Sequence, residues 1–165
     1  MSYPARLNLR SVLGHSLTAL VLGLGHAAFA DDDGERTPRV PLLPKYQQEC
    51  AACHLAYPPG MLPVGSWQRL MTQLPHHFGS DASLDPASVK QLSGWLTANA
   101  GTYKRVRQEP PEDRITRSPW FIRKHDEINA STWKRASIKS AANCAACHFQ
   151  ADKGVFNDDD IRIPR

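Results

Sequence analysis

The pentapeptide Cys-Ala-Ala-Cys-His occurs twice, as Cys50-Ala51-Ala52-Cys53-His54 and as Cys144-Ala145-Ala146-Cys147-His148, and the two copies use all four cysteines of the 165-residue chain. Two thiols separated by two residues can reach the two vinyl groups along one porphyrin edge, and the histidine that follows then lies beneath the iron. The spacing is that of covalent c-type haem attachment. Each copy predicts two thioether bonds and one iron ligand, His54 for one haem and His148 for the other. Such a chain folds around two large, flat, apolar groups, which supply core that a short chain cannot build from side chains alone.

Other uses of paired cysteines explain less. Two distant C-x-x-C units could form a four-cysteine zinc site or two redox dithiols, but neither requires a histidine directly after both pairs. A disulfide framework would not require identical pentapeptides on segments that otherwise differ.

The start of the chain points to export. Arg6 and Arg10 precede an apolar run from Val12 to Ala28, and Ala28-Phe29-Ala30 forms an A-x-A cleavage site before Asp31. Residues 1–30 read as a signal peptide. Gly14, His15, Ser16, Gly23, Gly25 and His26 interrupt the run and make it a poor membrane-spanning helix. Cleavage would leave residues 31–165 as an exported, periplasmic chain that does not span the membrane. It would also discard His15 and His26 as ligands.

The formal net charge of +4 includes Arg6 and Arg10, so the mature chain would carry 18 basic and 16 acidic residues. Each oxidised haem, with one net positive iron porphyrin and two propionates, brings it closer to neutrality, and a nucleic-acid partner is not indicated. The charge is unevenly spread. Residues 104–139 hold ten Lys or Arg against five Asp or Glu, whereas residues 31–103 hold five against seven. Arg105, Arg107, Arg114, Arg117 and Arg123 are candidates for a solvated face, for propionate pairing or for docking an acidic partner.

Proline, glycine and capping residues mark the elements. Pro38, Pro41 and Pro44 suggest an extended lead-in, and a first helix is expected from Lys45, carrying Cys50 and Cys53 on its last turns. Pro58, Pro59, Gly60 and Pro63 force an irregular loop after His54. Ser66 is expected to cap a helix bearing Trp67, Leu70, Met71 and Leu74, with Pro75 as its stop. Asp85-Pro86 opens another with Val89, Leu92, Trp95 and Leu96 on one stripe and Gly101 at its end. Ser118-Pro119 should start a helix from Trp120 to Ile128, and a last helix from Ser137 should deliver Cys144, Cys147 and His148. No strand alternation is visible. The expected organisation is a signal peptide over 1–30, a first haem domain over 31–105 and a second over 106–165, with the divide near residue 105, where the polar stretch containing Pro110-Pro111 begins. The Asp158-Asp159-Asp160 run reads as a solvated turn rather than a calcium site.

Haem iron has two axial positions, and His54 and His148 fill one each. The spare histidines of the mature chain are His76, His77 and His125, and Met61 and Met71 are the competing ligand type. The later half has only His125. His76 and His77 are adjacent and point in separate directions, so only one can reach a given iron, and spacing does not choose between them.

Beyond the pentapeptides, ECAACHLAYPPGMLPVGSW, LPHHFGSDASLD, RITRSPWFIRKHDE and AANCAACHFQADKGVFNDDDIRIP resemble the dihaem cytochrome c family, over most of the mature chain. The resemblance implies an all-α fold: a small helical first half similar to class I cytochromes c and a second, irregular, mostly helical haem-binding half. It implies two covalent haems with bis-histidine ligation. The histidine before Phe-Gly, His77, is then the second ligand of the first haem and His125 that of the second, with His76 spare. Sequence proximity pairs His54 with His77 and His148 with His125, and a crossed arrangement is the alternative.

An iron held by two imidazoles offers no open position and moves electrons rather than substrates. The expectation is an electron carrier, not an enzyme. The resemblance implies a membrane b-type cytochrome or other quinol-linked donor and a soluble cytochrome c acceptor, such as an oxygen-binding monohaem type. The rival is a small dihaem peroxidase or gas sensor with one open iron.

Overall fold

Proline stands at the first turn of three of the five α-helices in this computed structural model, which describes residues 40–165. The expected signal peptide, with His15 and His26, and the acidic stretch after it lie outside the described residues. The helices are α1 (Pro44–Cys50), α2 (Val64–Thr72), α3 (Pro86–Asn99), α4 (Pro119–Lys124) and α5 (Ala130–Trp133). Pro44, Pro86 and Pro119 sit where a missing N–H costs nothing and a fixed φ favours the helix. Short 3-10 turns join them. Among the described residues there is no strand, only the isolated bridges His77 with Ser80 and His148 with Ile161.

The first three helices share one core. Tyr46 of α1, Trp67 and Met71 of α2, and Leu92 and Leu96 of α3 bury against Leu62 and Leu74, and the Tyr46 ring lies 5.0 Å from that of Trp95. At α3 the Asp85 carboxylate caps the helix by accepting from the Ala87 and Ser88 N–H groups, each at 3.0 Å.

At α2 the expected cap is corrected. Pro63 holds the N-cap position, and its carbonyl accepts from the Trp67 N–H at 3.3 Å. The helix starts two residues before Ser66, which is an interior, fully buried residue. The far end stops at Thr72, ahead of Pro75, which instead enters the 3-10 turn Leu74–His76. Helix α1 also ends early, at Cys50, so Cys53 lies in the following turn.

Three prolines remove N–H donors from residues 58–63, and the carbonyls of that loop are satisfied from distant elements. Pro59 O accepts from Trp67 Nε1 at 2.7 Å, Gly60 O from the Tyr103 hydroxyl at 2.6 Å, and Leu62 O from the Gly101 N–H at 2.8 Å. Gly101 does follow the end of α3, but for packing. A Cβ there would lie 2.5 Å from Gly60 O and from Val106 Cγ1.

The later residues form shorter elements. Helix α4 ends at Lys124, not Ile128, with His125 as its C-cap at φ −127°. No helix starts at Ser137. Lys139 adopts a left-handed φ of 68°, the Ser140 hydroxyl takes the Ala142 N–H, and the Asn143 side chain donates to Ile138 O at 3.0 Å. Those polar side chains offer the backbone alternatives to a helix. Only the 3-10 turn Cys144–Ala146 remains to hold the second pentapeptide.

Long-range polar ties cross residue 105. Arg69 of α2 clamps Asp113 through two hydrogen bonds, of 2.9 and 2.7 Å, and reaches Glu109 at 2.7 Å. The Tyr57 hydroxyl donates to Ala142 O at 2.8 Å.

Candidate functional site

Two pairs of imidazoles face each other. The ring centroids of His54 and His77 are 6.0 Å apart, and those of His125 and His148 are 6.2 Å apart. Metal–nitrogen bonds of about 2 Å, with each ring centre about 1.1 Å beyond its nitrogen, put trans imidazole ligands about 6 Å apart, centroid to centroid. Both pairs have the spacing of two histidines sharing one iron.

Local structure aims each ring. His54 follows the turn after α1, and its Nδ1 lies 2.7 Å from Leu55 O. His125 ends α4, and its Nδ1 lies 2.9 Å from Phe121 O, one helical turn back. A carbonyl can only accept, so both rings donate from Nδ1, which leaves Nε2 as the ring atom that a metal could take. The opposing rings differ. His77 Nδ1 and His148 Nδ1 are buried without a hydrogen-bond partner. An orphaned polar atom in each site fits side chains arranged around a further group rather than around one another.

Burial, helped by the neighbouring imidazole, lowers the pKa of His77 and of His148. Both are thereby biased to the neutral form that a metal requires. His76, by contrast, is exposed, and no ring contact joins it to His54. Met71 belongs to the core between α2 and α3.

His77 is delivered by a tight turn. Phe78 and Gly79 both have positive φ, 50° and 94°, and the Ser80 N–H returns to His77 O at 3.0 Å. That is the type I′ pattern, which asks for positive φ at both central positions, and glycine fills only the second. Phe78 takes the strained position, with its ring edge-on to His77 at 4.8 Å and Arg114 Cζ 4.4 Å over its face. The second site repeats part of this arrangement. Phe149 follows His148 and is covered by Arg162 at 5.2 Å. The family resemblance pointed to His77 through the Phe-Gly that follows it but gave the phenylalanine rings no role, because a single exposed Phe carries no periodic signal.

Aromatic walls complete both sites. Tyr57 stacks near His54 at 5.1 Å. Phe121 stacks on His125 at 4.0 Å, Trp133 lies 5.8 Å from it, and Phe156 lies 5.4 Å from His148.

Each pair of cysteines directly precedes one histidine of a facing pair, Cys50 and Cys53 before His54, and Cys144 and Cys147 before His148. All four are unpaired, and among the described residues no cluster of three His, Cys, Asp or Glu side chains gathers as a metal site. Burial pushes the Cys50 and Cys144 thiols up to about 11. The five candidate arginines do not gather at one point: Arg114 and Arg117 pair with Glu112, Arg107 donates to Thr102 O, Arg105 lies over Tyr103, and Arg123 is exposed on α4.

The family model for dihaem cytochrome c matches residues 46–156, which include both pentapeptides and His77 and His125. Solved structures agree. A dihaem c-type cytochrome of Shewanella baltica is 35% identical, with a TM-score of 0.66 over 76% of this chain and 95% of its own. Two structures of a dihaem cytochrome c of Rhodobacter sphaeroides are 46% and 44% identical, with TM-scores of 0.61 and 0.64, covering 71% and 72% of this chain and 99% and 100% of theirs. No curated protein sequence matches. The chain belongs to the dihaem cytochrome c family, which binds two haem c groups covalently, and it contains both C-x-x-C-H motifs that such attachment requires.

Proposed function

We propose that the protein is a periplasmic electron shuttle, not an enzyme, with bis-histidine iron at both haems. His54 and His77 are the ligands of the first iron, and His148 and His125 those of the second. Cys50 and Cys53 hold the first haem, and Cys144 and Cys147 the second. The observation that carries this reading is the facing of two imidazoles at about 6 Å in each site. When bound, each haem supplies a one-electron ferric/ferrous couple.

The residues then set what that couple can do. With haem bound, His54 with His77 and His148 with His125 would hold the irons, exclude oxygen and peroxide, and favour the ferric state more than a thioether would. Low potentials and little change of geometry on reduction follow. The donor is a membrane b-type cytochrome or another quinol-linked protein. The acceptor is a soluble cytochrome c, such as an oxygen-binding monohaem type. Arg123 and the other basic residues of 104–139 suit an acidic docking partner, whose reaction rate should fall as salt rises.

The test is optical and electron paramagnetic resonance spectroscopy of the holoprotein, followed by carbon monoxide added to the reduced form. Two low-spin signals and no adduct are expected. A high-spin component or a carbon monoxide adduct would replace the shuttle with a gas-binding protein or peroxidase.

A further inference from the structure

The Tyr57 side chain touches both sites. Its ring stacks near that of His54, with centroids 5.1 Å apart and planes 23° from parallel. Its hydroxyl donates to Ala142 O at 2.8 Å, across 85 residues of sequence. The same carbonyl oxygen lies 3.7 Å from Cys144 Sγ. One residue thus reaches from an imidazole of the first site to the backbone oxygen beneath an attachment sulfur of the second.

We propose that Tyr57 is a positioning residue that couples the two haem sites, holding the second attachment segment against the first iron ligand and shortening the tunnelling path between them. The proposal rests on the ligand assignment of His54 given above. Tunnelling falls off more steeply across an open gap than through bonds and hydrogen bonds. The sequence His54 ring, Tyr57 ring, hydroxyl, Ala142 O, Cys144 Sγ contains three close non-covalent steps and no wide gap. An electron crossing it oxidises one ferrous iron and reduces one ferric iron. No bond changes and no proton moves.

The surroundings keep the bridge in one state. Tyr57 is half-buried, its own carbonyl accepts from the Tyr46 hydroxyl at 2.8 Å, and Tyr46 belongs to the core.

The experiment compares full-length holoprotein with Tyr57→Phe and Tyr57→Leu. Each is photoreduced to the one-electron level, and the rate of electron equilibration between the haems is followed, with both midpoint potentials and the thermal midpoint measured alongside. Tyr57→Phe keeps the ring and loses only the hydroxyl. It should equilibrate more slowly than wild type while both haems stay low-spin, and Tyr57→Leu should be slower still and shift the first potential. Equilibration of Tyr57→Phe at the wild-type rate, with a lowered thermal midpoint alone, would show a purely structural residue and overturn the proposal. The ligand assignment fails separately, through an open iron in the wild-type spectrum. If Tyr57→Leu does not fold, the Tyr57→Phe rate decides.

Discussion

The ring planes of His125 and His148 stand 74° apart across a centroid separation of 6.2 Å, while those of His54 and His77 are only 20° from parallel. The angle has an electronic consequence. Near-parallel imidazoles both donate into the same iron d orbital and split it from its partner. Near-perpendicular imidazoles raise the two orbitals alike and leave them almost degenerate, with a large orbital moment.

The oxidised holoprotein should therefore give two different low-spin resonances in equal amount. The His54–His77 iron should show an ordinary rhombic signal, and the His125–His148 iron a broad, highly anisotropic one at low field. Two superimposed rhombic signals would mean that the second pair turns toward parallel when haem is in place.

Removing one facing imidazole should open one iron and leave the other alone. His77→Ala and His125→Ala are each expected to bind one carbon monoxide per reduced protein, with half of the low-spin spectrum retained. His76→Ala should bind none, because His76 is exposed and makes no ring contact with His54. An adduct in His76→Ala would reassign the first ligand.

Much of this arrangement was legible in the residues because its signals are local. The pentapeptides state the chemistry by spacing, Asp85-Pro86 states a helix start by capping, and the stripe of Leu92 and Leu96 states a buried face. The later residues were harder to read. The expected helix at Ser137 fails because Ser140 and Asn143 bond locally and Lys139 turns left-handed, which gives the backbone partners other than those of a helix. Ser66 misled for a related reason: it looks like a cap, but Pro63 already holds the cap position three residues earlier. The Tyr57–Ala142 contact spans 85 residues and no sequence pattern announces it.

Gly101 offers a test of packing rather than of chemistry. A methyl group there would lie 2.5 Å from Gly60 O and from Val106 Cγ1, and Gly60 O cannot retreat without disturbing the loop that Tyr103 and Trp67 hold. Gly101→Ala should cost about 1–3 kcal/mol in denaturant unfolding, the usual range for overpacking. Both haem spectra should survive. An unchanged midpoint would show that this loop yields more readily than its hydrogen bonds suggest.

Acid should weaken the tie between Arg69 and Asp113. Glu112 and Asp113 both hold left-handed φ angles of 55°, a conformation that costs non-glycine residues roughly 1–2 kcal/mol each. The guanidinium clamp on Asp113 offsets part of that strain, and the same hydrogen bonds hold the Asp113 carboxyl below its ordinary range. A carboxylate whose folded pKa is depressed stabilises the fold above its unfolded value, near 3.9, and loses that contribution as pH falls through the folded value. Arg69 is nearly half exposed, so solvent screening limits the effect to the order of 1 kcal/mol. Asp113→Asn should therefore be less stable than wild type at neutral pH, and the two unfolding curves should converge below about pH 4. A difference that persists unchanged to the lowest pH at which both proteins fold would assign the loss to backbone geometry instead of charge.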